Sequence, residues 1–266
     1  MLHRRSLFLV VLVLISCASL VGRQTSTTTQ PPVQRDQEAL AILGQVLNAG
    51  GGQATLGAIQ DFTATGNVTY SWDAVQGSAT LKGRGLHEFR LDATLADGLH
   101  SWIVNGNAAF QKNPDGSTSL LPSQNMIKLG PMTFPLVEVL SVIQDATFSV
   151  TYGGLVTRNG QQLHDITVQK TFPVGADPAG LLSKITKGDI FIDPNALTVQ
   201  TIEDAAYRKD GGPGQFLHDF QYSKYQTTNG VLVPFSIAES IAGQQIMTIQ
   251  LVQITFNNGL TDNDFN

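Results

Sequence analysis

Apolar residues recur along this chain with two different periods, and the change from one to the other divides it. From Asp36 onward, Ala39, Leu40, Ile42, Leu43, Val46 and Leu47 repeat at spacings of three and four. That pattern predicts a helix capped by Asp36 and stopped by Gly50-Gly51-Gly52, with a short second helical turn over 53–59. At Asp61 the period becomes two. Phe62, Ala64, Val68, Tyr70 and Trp72 alternate with Thr63, Thr65, Asn67, Thr69 and Ser71, as in a half-buried antiparallel strand. The alternation returns at Phe89, Leu91, Ala93 and Leu95 and again at Val231, Val233, Phe235 and Ile237. Met247, Ile249 and Leu251 share a face, after which the apolar set shifts to Val252, Ile254 and Phe256; a slip of one residue predicts a β-bulge that curls the sheet. Gly83 to Gly85, Asn105-Gly106, Pro114-Asp115-Gly116, Asn159-Gly160, Asp210 to Gly214 and Asn229-Gly230 supply turns. They separate about eleven or twelve strands, so the expected fold is all-β, a strongly curved antiparallel sheet forming a half-open barrel.

Between Gly130 and Asp145 the strand pattern lapses. Pro131 and Pro135 mark the start of a segment in which Leu136, Val137, Val139, Leu140, Val142 and Ile143 are apolar, while Glu138, Ser141 and Asp145 form one narrow polar stripe. A helix apolar around most of its circumference is buried on most sides. On the concave face of a curved sheet it is a plug or lid; as an ordinary core helix it buries the same surface.

At the N-terminus, His3, Arg4 and Arg5 precede an uncharged apolar run from Leu7 to Ile15, the layout of a secretory signal and too short to span a bilayer. Leu14-Ile15-Ser16-Cys17 is similar to a bacterial lipoprotein box, with Cys17 as the lipidated residue; cleavage after a small residue such as Ala18 is the alternative. The stretch ASLVGRQTSTTTQPPVQR that follows has the composition of a disordered tether. The expected organisation is therefore a signal at 1–16, a lipidated cysteine and tether at 17–35, and one domain at 36–266. Because Cys17 is the only cysteine, the domain has neither disulfides nor cysteine nucleophiles.

Charged residues make up 14 % of the chain and the net charge is −5. The usual charged share is about 25 %, and an acidic balance gives no electrostatic footprint for nucleic acid. Local catalytic motifs are missing. His87-Glu88-Phe89-Arg90-Leu91 opens like a zinc-protease helix but ends in leucine and reads as strand, and no nucleophile elbow, P-loop, dinucleotide fingerprint or calcium loop is present, so no metal or cofactor is expected. His164-Asp165 and His218-Asp219 look like acid–base pairs, yet neighbours on a strand point to opposite faces. Each histidine shares its face with apolar residues, Ile166 and Val168 for one, Phe216 and Phe220 for the other, which suits a core or cavity-rim position. A hydrolase would require His164 or His218 to meet a carboxylate from elsewhere in the chain.

Phe191-Ile192-Asp193-Pro194 followed by Thr198-Val199, then Asn229-Gly230-Val231-Leu232-Val233-Pro234-Phe235, then Asn257-Asn258-Gly259-Leu260 with Phe265, resembles the outer-membrane lipoprotein-sorting family (LolA/LolB-like) and related lipid-binding lipoproteins. The resemblance is clearest over 147–266 and extends to the opening at 36–72. It implies an unclosed β-barrel whose apolar concave surface, covered by helices, holds acyl chains. A free carrier shuttles, whereas Cys17 implies a tethered protein, so the expectation is a non-catalytic acceptor or lipid-handling lipoprotein of the bacterial envelope. It faces the periplasm, at the outer membrane in one reading. Lipid or the acyl chains of lipoproteins are the expected partners, the membrane being reached through the anchor. Large apolar residues on inward faces are the candidate cavity lining: Phe62, Tyr70, Trp72, Phe89, Leu91, Trp102, Val104, Leu136, Leu140, Phe220 and Phe235. A protein- or peptide-binding sensory module on the same fold is the alternative.

Overall fold

The computed structural model describes residues 33–266 apart from 86, 107, 123–124, 126–133, 174 and 209–213. The signal segment, Cys17 and the tether up to residue 32 lie outside the described residues, as do Gly130 and Pro131. Helix α1 (Gln37–Ala49) begins where Asp36 accepts hydrogen bonds from the Glu38 and Ala39 amides at 2.8 and 3.4 Å, and a single turn, α2 (Gln53–Gly57), follows. Six strands come next: β1 (Asp61–Tyr70), β2 (Gln76–Arg84), β3 (Glu88–Leu95), β4 (Gly98–Asn105), β5 (Ala109–Lys112) and β6 (Thr118–Leu120). After helix α3 (Pro135–Gln144) come β7 (Phe148–Arg158), β8 (Gln161–Lys170), a short helix α4 (Leu181–Ile185), β9 (Gly188–Ile192), β10 (Val199–Tyr207), β11 (Gln215–Thr228), β12 (Val231–Ile241) and β13 (Gln244–Phe256).

All thirteen strands join one antiparallel sheet in the order β6-β5-β4-β3-β2-β1-β13-β12-β11-β10-β9-β8-β7. Two meanders, β1 to β6 and β7 to β13, are thus fused by the pairing of β1 with β13, and the edges β6 and β7 stay unpaired with each other. The sheet is curved and unclosed, with one strand more than the upper expectation. Helix α3 is the connection between the two edges. Its Leu136, Val139, Leu140 and Val142 pack with Leu43, Val46 and Leu47 of α1 in the core on the inner face of the sheet.

The slip foreseen near the C-terminus is a bulge. Thr65 pairs with Gln253 but Gly66 pairs with Leu251, so Val252 is the extra residue, and it is exposed. At the same place β13 leaves β12, whose pairing with it begins only at Ser236–Gln250. The gap accommodates Pro234, which has no N–H to offer a neighbour on that side. It also admits the end of α1: Leu232 N donates to Gly50 O at 3.0 Å. Gly51 serves this approach, since a Cβ there, at φ +125°, would sit 2.5 Å from Gly230 O, and Gly50 makes room for α3, where a Cβ would sit 2.5 Å from a Leu136 methyl.

Arg35 anchors the lid. Its guanidinium donates to Val142 O, Ile143 O, Asp145 O and Phe148 O at 2.9–3.1 Å, satisfying carbonyls at the C-terminal end of α3 and placing a cation at the negative end of the helix dipole. Backbone hydrogen bonds flanking Arg35 tie Gln34 and Asp36 to Val150 of the edge strand β7, so ordered contacts begin upstream of Asp36.

The family-like motifs are structural ties. Asp61, almost fully buried, accepts hydrogen bonds from the amides of Asn258, Gly259 and Leu260 at 2.6–3.1 Å. The following turn lays Phe265 on the outer face, where Lys82 meets Asp264 at 2.7 Å and Arg84 covers the ring. Asp193 accepts from the amides of Asn195 and Ala196 and so shapes the β9–β10 turn. One expectation needs correction: Trp72 is not on the inward face of a strand. β1 stops at Tyr70 because Asp73 and Ala74 adopt positive φ in a 3-10 turn, and Trp72 is 54 % exposed.

Candidate functional site

Three cavities lie on the inner side of the sheet. The largest, about 210 Å³, runs beneath α3. Its floor is Val168, Ile190, Ile202 and Phe220, and its roof is the polar stripe of the helix, Glu138, Ser141 and Asp145. The stripe therefore faces a cavity while the rest of α3 is packed in protein, which explains a helix with so little polar surface. Lys170 and Lys187 stand at the same cavity, and Lys170 pairs with Asp145 at 3.1 Å. A second cavity of about 170 Å³ is bounded by Tyr70, Trp72, Phe89, Leu91, Trp102, Ile246 and Met247 with Glu239. The third, also about 170 Å³, shares Trp102 and Glu239 with the second and is completed by Leu121, Ile241 and His218 among others.

Of the candidate lining residues, Tyr70, Trp72, Phe89, Leu91, Trp102 and Phe220 line these cavities. Trp72 does so from the turn, its ring 4.6 Å from that of Tyr70. Phe62, Val104, Leu136, Leu140 and Phe235 are buried in the core and none of the three cavities touches them. Phe62 packs edge-on against Phe134 at 6.2 Å and over Gly83, where a Cβ would strike its ring.

An ionic cluster separates the largest cavity from the other two. His218 on β11 places Nδ1 2.8 Å from Asp204 Oδ1 on β10 and Nε2 3.0 Å from Glu239 Oε1 on β12, with all three side chains nearly buried. Asp204 borders the large cavity, and His218 and Glu239 border the smaller ones. Burial by itself pulls the imidazole pKa down, but hydrogen bonds and the charges of the two carboxylates outweigh it and raise the pKa to about 9. The ring is thus a doubly donating imidazolium at neutral pH. His164 is different: among the described residues its Nδ1 meets the Tyr152 hydroxyl, at 2.8 Å, and no carboxylate.

Sequence reasoning placed His218 on an inward face but could not find its partners, which lie on neighbouring strands, and Asp204 and Glu239 carry no local signal of that meeting. The cluster does not converge on a point, because the ring stands between the carboxylates; among the described residues no three His, Cys, Asp or Glu side chains are grouped to hold a metal ion. Around the cluster, the hydroxyls of Tyr70, Tyr207 and Tyr222 are buried with no hydrogen-bond partner among the described residues. Burial raises the pKa of all three phenols, with Glu239 adding to the effect at Tyr70 and Asp204 at Tyr207 and Tyr222.

No known family profile and no curated protein matches the sequence. Solved structures do match the fold. A domain from Vibrio parahaemolyticus, named for outer membrane lipoprotein sorting, is 14 % identical over 86 % of this chain and 96 % of its own, with a TM-score of 0.52. A LolA superfamily protein from Nitrosomonas europaea is 11 % identical over 86 % of this chain and 97 % of its own, and a DUF1329 family protein from Desulfovibrio piger 8 % identical over 89 % and 98 %, each at a TM-score of 0.52. At such identities the likeness is one of architecture. The chain has the LolA-like fold, an unclosed antiparallel barrel with a helix over its inner face.

Proposed function

We propose that this protein is a lipid-anchored lipoprotein of the bacterial envelope that holds lipid, or the acyl chains of lipoproteins, in the cavities on the inner face of the sheet, without catalysing a reaction. The observation that carries this reading is the set of cavities with largely apolar walls on the inner face of the sheet, one of them roofed by a helix whose C-terminal end Arg35 holds in place. Each acyl CH₂ exposed to water costs about 0.8 kcal/mol, so a chain of a dozen methylenes needs on the order of 10 kcal/mol of shelter to cross an aqueous space. A dry groove supplies that without a nucleophile or metal. The LolA-like fold supports the same reading, as do the lipoprotein-like box at Cys17 and the polar tether after it, whose root-mean-square reach as a flexible coil is roughly 23 Å.

The cluster around His218 is the place where a hydrolase would have to work. It is poorly suited to it. Both ring nitrogens are engaged by carboxylates and the ring is held in its charged form, so it has no lone pair with which to take a proton from a hydroxyl or water.

Native mass spectrometry of the full chain, extracted in mild detergent, tests the proposal. Lipid bound in stoichiometric amount is the expected result, and Ser141→Trp, which projects an indole from α3 into the largest cavity, should reduce the amount bound. An interior free of lipid in the wild type, with no uptake of added lipid, overturns it and favours a protein-binding module. The anchor is tested separately: Cys17→Ser should abolish lipid labelling and release the chain from membranes, and unchanged membrane association overturns that part.

A further inference from the structure

The two smaller cavities meet at a carboxylate. Glu239 borders both, with Trp102 as their other shared wall, and the remaining surface is largely apolar. Its Oε1 is taken by His218, whereas Oε2 accepts no hydrogen bond from the described residues. Beside it, Tyr70 is only 3 % exposed, lines the same cavity and keeps a hydroxyl with no partner. Glu239 thus turns an open carboxylate oxygen toward an oily cavity, a state that is costly until a donor compensates it.

We propose that this junction receives the polar end of the bound amphiphile, and that it selects a head group that donates hydrogen bonds and is not anionic, a hydroxyl or an ammonium, over phosphate or carboxylate. The inference rests on the cavity reading above and adds head-group selection to it. A donor placed between the cavities reaches Glu239 Oε2 while its hydrocarbon tail lies along Phe89, Leu91 and Met247. An anionic head at the same place faces a like charge in a medium of low dielectric.

The chain's two tryptophans, Trp72 and Trp102, both line this cavity, so intrinsic emission reports its occupancy. The full chain is titrated with 1-monolauroylglycerol, dodecylamine in its protonated form and dodecyl phosphate, all below their micelle concentrations and with matched tails. The expected result is that at least one of the first two binds about tenfold more tightly than dodecyl phosphate, and that Glu239→Gln removes most of that preference. Preference for the glyceride identifies a hydroxyl head, and preference for the amine an ammonium head. Because the wild-type ranking is itself decisive, the test survives a poorly folded variant, and Tyr70→Phe provides a second one, expected to weaken the preferred ligand by about threefold. Equal affinity for all three compounds overturns the inference and leaves the cavity reading standing. Failure of all three to bind overturns both.

Discussion

His218 ties the stability of this protein to pH. Its pKa stands near 9 in the folded chain against 6.5 for an ordinary histidine, a rise worth about 3 kcal/mol. Since the folded value is the higher one, that stabilisation is complete below about pH 6.5 and drains away as pH rises through 9. The groups facing the ring are Asp204 and Glu239, and Tyr70 and Tyr222, which stay protonated over this range, line the cavities beside them. Urea unfolding at pH 6 and pH 9.5 should show the loss, and His218→Asn should flatten it; an equal slope in the variant would place the effect elsewhere. Asp61 makes a second prediction. Hydrogen bonds to a carboxylate contribute about 1.5–3 kcal/mol each, so Asp61→Ala, which strands the amides of Asn258, Gly259 and Leu260, should lower stability by about 3 kcal/mol in the same assay. At this scale the sequence was legible in part. Period two put His218 on an inward face beside Phe220, but its carboxylates enter from strands β10 and β12, a matter of register that alternation does not encode. Trp72 continued the alternation of β1 on paper, and only the positive φ of Asp73 and Ala74 carries it out of the strand.

Among the elements, α3 is the one whose burial was legible before its surroundings were. Its apolar circumference and its stripe at Glu138, Ser141 and Asp145 follow from the order of residues alone; that the stripe roofs a cavity depends on where β8 to β11 run. The bulge at Val252 was equally legible, because inserting one residue flips the face of every residue after it. Helix α4 was not, since five residues are too few to display a helical period, and its start is set by Asp177 accepting from the Leu182 and Ser183 amides. Arg35 likewise gave no signal in a segment that reads as tether, yet it is what holds the end of the lid. Arg35→Ala should raise amide exchange in the last turn of α3 by about tenfold or more while β11 and β12 stay protected. Arg35→Lys should restore only part of that protection, because an ammonium lacks the planar fork that reaches four carbonyls. Exchange unchanged in Arg35→Ala would show that packing of Val139 and Val142 alone fixes the helix.

For the whole molecule, an open curved sheet presents two edges and one hollow, and the chain treats them differently. The edge β6 is only three residues long, and the start of the edge β7 is met at Val150 by the backbone around Arg35. The hollow is left in three parts of about 210, 170 and 170 Å³, where native cores are normally filled. Packing forgone in the empty protein is available to a guest, so occupancy and global stability are linked. A ligand at 100 times its Kd that binds only the folded state adds about 2.7 kcal/mol. For a chain of this length each kcal/mol moves the melting temperature by about 2–4 °C, which makes the expected rise about 5–10 °C. Differential scanning fluorimetry of the full chain with 1-dodecanol reads it directly. Ser141→Trp should melt near the unliganded wild type and show a smaller further rise, since the indole takes the space the alcohol would use beneath α3 and leaves the two smaller cavities open. No shift in the wild type, or the same shift in both proteins, would mean that the hollow takes up no alkyl chain under α3 and that the curvature of the sheet serves another end.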